Sequence, residues 1–211
     1  NEYIGLDFEM GYIDSMYDVM AMETAMLKYV MDYIRENYAN EIEILEAEVP
    51  VINEIPCVTL LEAKEILGNK GSGNKLDLEP EDEVSICEYA KEEFDSDFIF
   101  VTHFPSSKPP FYAMDSKEDP RLAYKFDLLF RGLEITSGGQ RIHDYDEQVA
   151  KMKAQGLNPD DFKYYLEAHK YGLPPHGGLG IGLERLVMKI INAQNIRTCS
   201  MFPRDINRLL P

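Results

Sequence analysis

From Phe98 onward the chain sets one strand after another with little between them, and this limits the fold more than any single residue does. Residues 98–103, 111–114, 124–130 and 133–142 are rich in aromatic and β-branched side chains and are separated by short, turn-like stretches. A parallel neighbour needs a crossover of a dozen or more residues, so strands joined mostly by short turns pair antiparallel. Helical patterns lie before and after this block. The expected fold class is therefore α+β, with a mostly antiparallel sheet flanked by helices and no clear linker anywhere in residues 1–211.

The flanks read as follows. Residues 3–13 form a strand with Asp7 and Glu9 on the face opposite Leu6 and Phe8. Ser15, with Asp18 three residues on, starts a helix to about Tyr38. Its expected core stripe is Val19, Met22, Met26, Val30 and Ile34, with the methionines as core filling. Thr59 and Glu62 form a capping box before a short helix that Gly68 stops, residues 69–74 read as a mobile loop, and a further helix follows Pro80. Helices at 144–154 and 159–171, a glycine-rich strand, a helix at 182–193 and a short strand at 199–202 complete the chain.

Composition excludes several classes. No run approaches the ~18 apolar residues of a membrane-spanning helix. Cys57, Cys87 and Cys199 share no CxxC spacing, against a disulfide framework or zinc site and in keeping with a reducing, cytoplasmic setting. The formal charge of −17, from 21 basic and 38 acidic residues, argues on composition alone against nucleic-acid binding by this segment. The acidic runs at 79–83 and 92–97 are expected to be solvated helix faces and turns. Beginning at Asn1, without a leader pattern, the chain reads as a piece of a longer protein.

Three stretches place charge and glycine inside apolar patterns. In the first, Asp7 and Glu9 share a strand face; they form either a solvent-facing edge or a pair that needs a cation beside it. The second, DLLFRGLEITSGGQRIH from Asp127 to His143, brings Asp127, Glu134, Ser137, Arg141 and His143 into or beside neighbouring strands. A carboxylate with a hydroxyl suits Mg²⁺, which completes its shell with waters and substrate phosphates. Gly138 and Gly139 allow close backbone approach, and Arg141 offers a planar fork to a carboxylate. A hairpin with a surface ion pair is the competing reading. The third, PPHGGLGIGLERLVM from Pro174 to Met188, runs a glycine-rich strand into a helix with Glu184 and Arg185 on its first turn. The glycines alone fit a tightly packed strand. An arginine where the backbone dipole already favours anions points further, to phosphate. Neither a P-loop nor a dinucleotide fingerprint is present.

Together these stretches resemble class II aminoacyl-tRNA synthetases (subclass b), specifically the aspartate-specific enzymes of archaeal and eukaryotic type. GLGIGLERLVM looks like motif 3, FDLLFRGLEITSGGQRIHDY like the aspartate and magnesium segment, NEYIGLDFEM like the second strand of motif 2, and MFPRDINRLLP like the C-terminal signature. The resemblance implies residues 1–211 to be the C-terminal part of the catalytic domain, from the second motif 2 strand through motif 3, with the start of that domain absent.

It also implies roles. Tyr3 matches the aromatic that stacks on adenine, and Asp7 the carboxylate that receives the substrate ammonium, with Glu9 its neighbour. Glu134 and Ser137 match the Mg²⁺ ligands, Asp127 standing behind them, and Arg141 matches the arginine that pairs with the aspartate side chain. Arg185 matches the arginine that contacts the γ-phosphate and covers the other adenine face; Gly178, Gly180 and Gly182 keep the ATP floor free of side chains. The implied activity is aspartate–tRNA ligase, with ATP, L-aspartate and tRNA-Asp as substrates and a homodimer in the whole protein; a whole protein that charges both tRNA-Asp and tRNA-Asn would use the same pocket, and the sequence does not separate the two. The family's motif 1, its first motif 2 strand with the arginine that grips the α-phosphate, and its anticodon-binding barrel, which would carry most tRNA affinity, have no counterpart here, so these residues alone are expected to be folded or partly folded but inactive in aminoacylation. Relatives carry Lys or Arg directly before Pro-Phe-Tyr; here Pro109 stands there and Lys108 is the nearest base, which implies a charge displaced by one residue. The alternatives are an asparaginyl enzyme, disfavoured because such relatives read GxGEIxGGSxRE, an asparagine synthetase on the same fold, and a non-catalytic paralogue.

Overall fold

A computed structural model describes residues 2–210 of the chain. Asn1 and Pro211, the outermost residues of two of the quoted segments, lie outside it.

The elements, in chain order, are β1 (Gly5–Gly11), α1 (Met16–Asn37), α2 (Ala39–Leu45), β2 (Cys57–Thr59), α3 (Leu60–Leu67), α4 (Pro80–Phe94), β3 (Phe98–Thr102), β4 (Lys125–Phe130), β5 (Glu134–Gln140), α5 (Tyr145–Ala154), α6 (Lys163–Lys170), β6 (His176–Gly182) and α7 (Leu183–Ile190). They form an α+β fold around a 6-stranded sheet of order β1-β6-β5-β4-β3-β2. Every neighbouring pair is antiparallel except β2 with β3.

Local chemistry starts the helices where expected. Ser15 and Asp18 close a reciprocal capping box on α1, and Thr59 and Glu62 do the same on α3. The expected stripe on α1, however, is rotated. Met22 is exposed and Met26, Val30 and Ile34 are half-buried, whereas Met16, Val19, Met20, Glu23, Leu27 and Met31 face the core. A buried glutamate sits in the true stripe, which is why an apolar count misses it. Thr136 Oγ1 donates to Glu23 Oε1 at 2.6 Å, while Oε2 finds no partner.

α1 covers one face of the sheet, burying Val19, Leu27 and Met31 with Phe100, Phe126, Leu128, Leu179 and Ile181. On the opposite face α3 and α4 cover only β3 and β4: Leu60, Ala63, Ile86 and Ala90 pack with Ile99, Val101 and Leu129. Over β1, β6 and β5 that outer face is open.

Other expectations need correction. Residues 111–114 form no strand; they run beside the end of β5 through an isolated bridge between Ala113 and Arg141. Nor is there one at 199–202, where a 3-10 turn at Ile196–Cys199 is followed by bends. Residues 69–74 are tied to α4, Ser72 donating through N and Oγ to Asp82. Asp82 is itself buried and paired with Lys64 at 2.7 Å, so the run at 79–83 is not simply a solvated face. The run at 92–97 is largely exposed, as expected.

Candidate functional site

The site grows out of strand register. Asp7 lies opposite Gly180, Gly180 opposite Ser137, and Ser137 opposite Asp127. The adjacent row runs Glu9, Gly178, Gly139, Lys125. Side chains alternate between faces along a strand, so both rows point to the open outer face.

Gly178 and Gly180 are demanded by this arrangement. A Cβ on Gly178 would come within 2.0 Å of Glu9 Oε2 and 2.3 Å of the Phe8 carbonyl oxygen. One on Gly180 would meet Asp7 Oδ1 at 2.6 Å. Carboxylates from β1 thus lie directly over β6. The glycines make room for protein side chains as well as keeping the floor low.

β5 contains an irregularity that the sequence does not announce. Glu134 and Ser137, three residues apart, would face opposite sides of a regular strand. A β-bulge shifts the register between Leu128 and Leu129, so that Glu134 pairs with Leu129 while Ser137 pairs with Asp127. Leu129 and Asp127 share a face, and the bulge therefore brings Glu134 and Ser137 onto it together.

Two connected lobes occupy the open face. The first, of about 650 Å³, is lined among others by Tyr3, Asp7, Glu9, Tyr112, Lys125, Ser137, Arg141, Gly180 and Gly182. The second, of about 410 Å³, is lined by Glu2, Tyr3, Glu134, Ile135, Ser137, Gly180, Gly182, Glu184, Arg185 and Ile196. Tyr3, Ser137, Gly180 and Gly182 belong to both, which makes one continuous trough. His143 and Lys108 line neither lobe. Pro109 does line the first, but Lys108 turns outward to Asp77 at 3.3 Å. The charge expected one residue before Pro109 is therefore not delivered to the trough by Lys108.

In the first lobe Arg141 donates through Nε to Glu9 Oε1 at 3.0 Å, and its guanidinium carbon lies 4.8 Å from the centre of the Tyr112 ring. In the second, Arg185 donates through Nη1 to the Glu134 carbonyl at 2.6 Å, with the Glu134 carboxylate 3.5 Å away. Glu184, beside it on α7, is buried and accepts from the Ile4 amide at 2.9 Å, which fixes the approach of β1.

Between the lobes lies a carboxylate cluster. Burial pushes Glu134 up to about 7, helped by the Asp127 charge and opposed by Lys125 and Arg185. Burial also raises Asp127, against the pull of Lys125 and Ser137, and its Oδ1 is buried without a partner. Glu83 of α4, raised by its own burial, accepts from the Glu134 amide at 2.8 Å. Among the described residues no group of three or more His, Cys, Asp or Glu side chains could hold a metal ion unaided. One carboxylate, one hydroxyl and an orphaned carboxylate oxygen behind them instead fit a hard cation that draws its remaining oxygens from phosphates and water.

Of the residues singled out from sequence, Tyr3, Asp7, Glu9, Glu134, Ser137, Arg141, Gly180, Gly182 and Arg185 line the trough, and Gly178 and Asp127 lie in the rows that build it. Sequence reasoning missed Lys125, Tyr112, Glu83 and the anchoring part of Glu184. Glu83 was hidden in an acidic run; Lys125, two residues from Asp127 on one strand face, had a period-two signal that could have found it.

The open part of the sheet thus carries an arginine-bearing helix start beside a carboxylate-and-hydroxyl cluster, and comparison with known proteins places this arrangement in a family. A family model described as tRNA synthetases class II (D, K and N) matches residues 1–206. The chain belongs to that family. An aspartate–tRNA(Asp/Asn) ligase of Thermus thermophilus is 46% identical over 213 residues, covering 100% of this chain and 50% of the relative. Among solved structures, an aspartyl-tRNA synthetase from Entamoeba histolytica superposes with a TM-score of 0.94 at 32% identity, covering 99% of this chain and 44% of that one. An asparaginyl-tRNA synthetase from Pyrococcus horikoshii gives 0.88 at 30% identity, with 99% and 50% covered. The chain spans about half the length of the curated relatives it matches. No helix among the described residues is long and apolar enough to cross a membrane.

Proposed function

We propose that residues 1–211 are part of the catalytic domain of an aspartate–tRNA ligase, which joins L-aspartate to the 3′ end of tRNA-Asp at the expense of ATP. The observation that carries this reading is the two-lobed trough itself. Asp7 and Arg141, of opposite charge, face one lobe, Glu134 and Arg185 face the next, and a glycine floor joins them. Such a trough suits an amino acid laid end to end with a nucleotide.

In this scheme Asp7 receives the substrate ammonium and Arg141 the side-chain carboxylate, exchanging Glu9 for it. Tyr3 lies against one adenine face, and Arg185 covers the other and reaches the γ-phosphate. Gly178, Gly180 and Gly182 keep the floor low. An α-carboxylate oxygen of aspartate attacks the α-phosphorus of ATP, the bond to the bridging oxygen breaks, and pyrophosphate leaves. A ribose hydroxyl at the tRNA end then attacks the activated carbonyl and releases AMP. No protein nucleophile takes part; placement and charge neutralisation supply the acceleration. Glu134 and Ser137, with Asp127 behind them, would hold Mg²⁺, which when bound neutralises phosphate charge. A cytoplasmic homodimer is the form proposed for the whole protein.

Amino-acid-dependent pyrophosphate exchange by the complete protein tests the reading. Aspartate should drive exchange and asparagine should not. Exchange with asparagine alone, or with neither, refutes it. Glu134→Ala should cut the exchange rate more than it raises the aspartate KM, and an unchanged rate at ordinary Mg²⁺ would remove Glu134 from the metal site.

A further inference from the structure

We infer that Lys125 is a specificity-determining residue of the first lobe, the second cation that receives the side-chain carboxylate of an acidic substrate beside Arg141. The inference rests on the aspartate reading above and deepens it. Among the described residues, the charged side chains lining that lobe are Asp7, Glu9, Lys125 and Arg141. Arg141 is already engaged by Glu9, through Nε at 3.0 Å and a longer contact from Nη2 at 3.4 Å. If a substrate carboxylate takes the guanidinium, Glu9 stays close by as a like charge. With Arg141 as its one cation the lobe would be net negative before an acidic ligand arrived. Lys125 restores the balance. Two lining carboxylates meet two cations, and a substrate that brings its ammonium and side-chain carboxylate to this lobe, its α-carboxylate directed toward ATP, keeps the count even.

Register puts Lys125 where this requires. It lies opposite Gly139, and Arg141 follows two residues along β5's chain on the same face, with no side chain at position 139 between them. Diagonal neighbours of this kind stand ~7–8 Å apart at the backbone, within reach of one carboxylate held between two long side chains. The ammonium is also held in advance. It pairs with Asp127, and it sits 3.8 Å from the centre of the buried Phe104 ring. An ammonium has three donors and Asp127 uses one, so donors remain for a ligand in the lobe. Lys108, the alternative base on the neighbouring loop, is turned outward to Asp77 and lines no part of the lobe. A neutral amide gains less than a carboxylate from a second cation, so Lys125 favours aspartate over asparagine.

The test is pyrophosphate exchange by the complete protein carrying Lys125→Met or Lys125→Arg, with KM for aspartate and ATP and the aspartate-to-asparagine ratio of kcat/KM measured separately. Lys125→Met should raise the aspartate KM roughly 10- to 100-fold, the loss expected for one hydrogen bond to a charged group. It should lower the specificity ratio, leave the ATP KM nearly unchanged, and be largely rescued by Lys125→Arg. Since Lys125→Met also strands the buried Asp127, the same change is made in an Asp127→Asn background, where the rise in aspartate KM should persist. A change confined to ATP KM or kcat, with aspartate KM constant, would show that Lys125 serves only Asp127 and overturns the inference alone. Absence of aspartate-dependent exchange in the unmodified protein overturns the aspartate reading and this inference with it.

Discussion

Over β3 and β4 the outer face of the sheet is sealed by α3 and α4, and Ile99, Val101 and Leu129 are at most 1% exposed. Over β1, β6 and β5 the same face carries Asp7, Glu9, Ser137, Arg141 and glycines, with Ser137 and both acidic residues exposed. The backbone is one continuous ladder; only what lies on it differs. The sealed half gains apolar burial, whereas the open half gains little and is held from beneath by α1. The difference teaches that the residues proposed to carry the chemistry sit where they contribute least to stability. Changes in the sealed half should therefore unfold the protein, and changes in the open half should disable it while folded.

The largest effect expected from that contrast comes from Ile99→Ala. Ile99 is fully buried on the outer face against α3 and α4, so its truncation should cost ~2–5 kcal/mol of stability in urea unfolding. A cost below ~1 kcal/mol would break the comparison at its sealed end. Next comes Arg141→Gln, which should leave the urea midpoint nearly unmoved but cost ~2–5 kcal/mol in aspartate activation, or roughly 30- to several-thousand-fold in kcat/KM. An unchanged aspartate KM and turnover would remove Arg141 from the substrate pocket. Gly180→Ala sharpens the contrast within the open half. Its Cβ meets only the movable Asp7 carboxylate, whereas Gly178→Ala also meets the Phe8 carbonyl oxygen, which is backbone. Gly180→Ala should thus raise the aspartate KM with little unfolding, and Gly178→Ala should destabilise by ~1–3 kcal/mol. Equal thermal shifts for the two would refute the assignment.

The smallest effect is a matter of pH. Burial pushes Glu23 up to about 8, against the hydrogen bond from Thr136. A carboxyl whose folded pKa is raised contributes stability that is fully present below its unfolded value near 4.5 and is lost as pH rises through about 8. Glu23→Gln keeps an acceptor for Thr136 and cannot ionise. It should match the unmodified protein at acid pH and exceed it in urea midpoint above the folded pKa, and parallel pH profiles would exclude ionisation of Glu23 as the cause.

Glu23 also shows where sequence reading stops. Reciprocal caps at Ser15 and Thr59 mark helix starts because their chemistry is local, within three residues. The buried face of α1 was misjudged because Glu23 is buried only by virtue of Thr136, a partner far away in the chain. β2, three residues long, and the exposed helix α2 carry too little pattern to stand out. At the site, residue types in DLLFRGLEITSGGQRIH pointed to metal, carboxylate and phosphate chemistry, and most of those residues do meet at the trough. Lys125 and Glu83 did not stand out, because their part follows from cross-strand and helix-to-strand neighbours and not from spacing along the chain.

The bulge in β5 makes the site tolerant at one position and intolerant a few residues on. Ile135 is an inward-facing aliphatic residue with no chemistry of its own, and its replacement by valine would alter only packing. Deleting it would remove the extra residue and leave Glu134 and Ser137 two apart, still on one face of a now regular strand. Deleting Gly138 is another matter. Ser137 and Arg141, four apart in the regular part of β5 and its extension, would become three apart, and one of them would have to turn toward α1. Single-codon deletion should therefore abolish exchange at Gly138 and cost mainly packing at Ile135: here the reading frame of the pleat is itself inherited information.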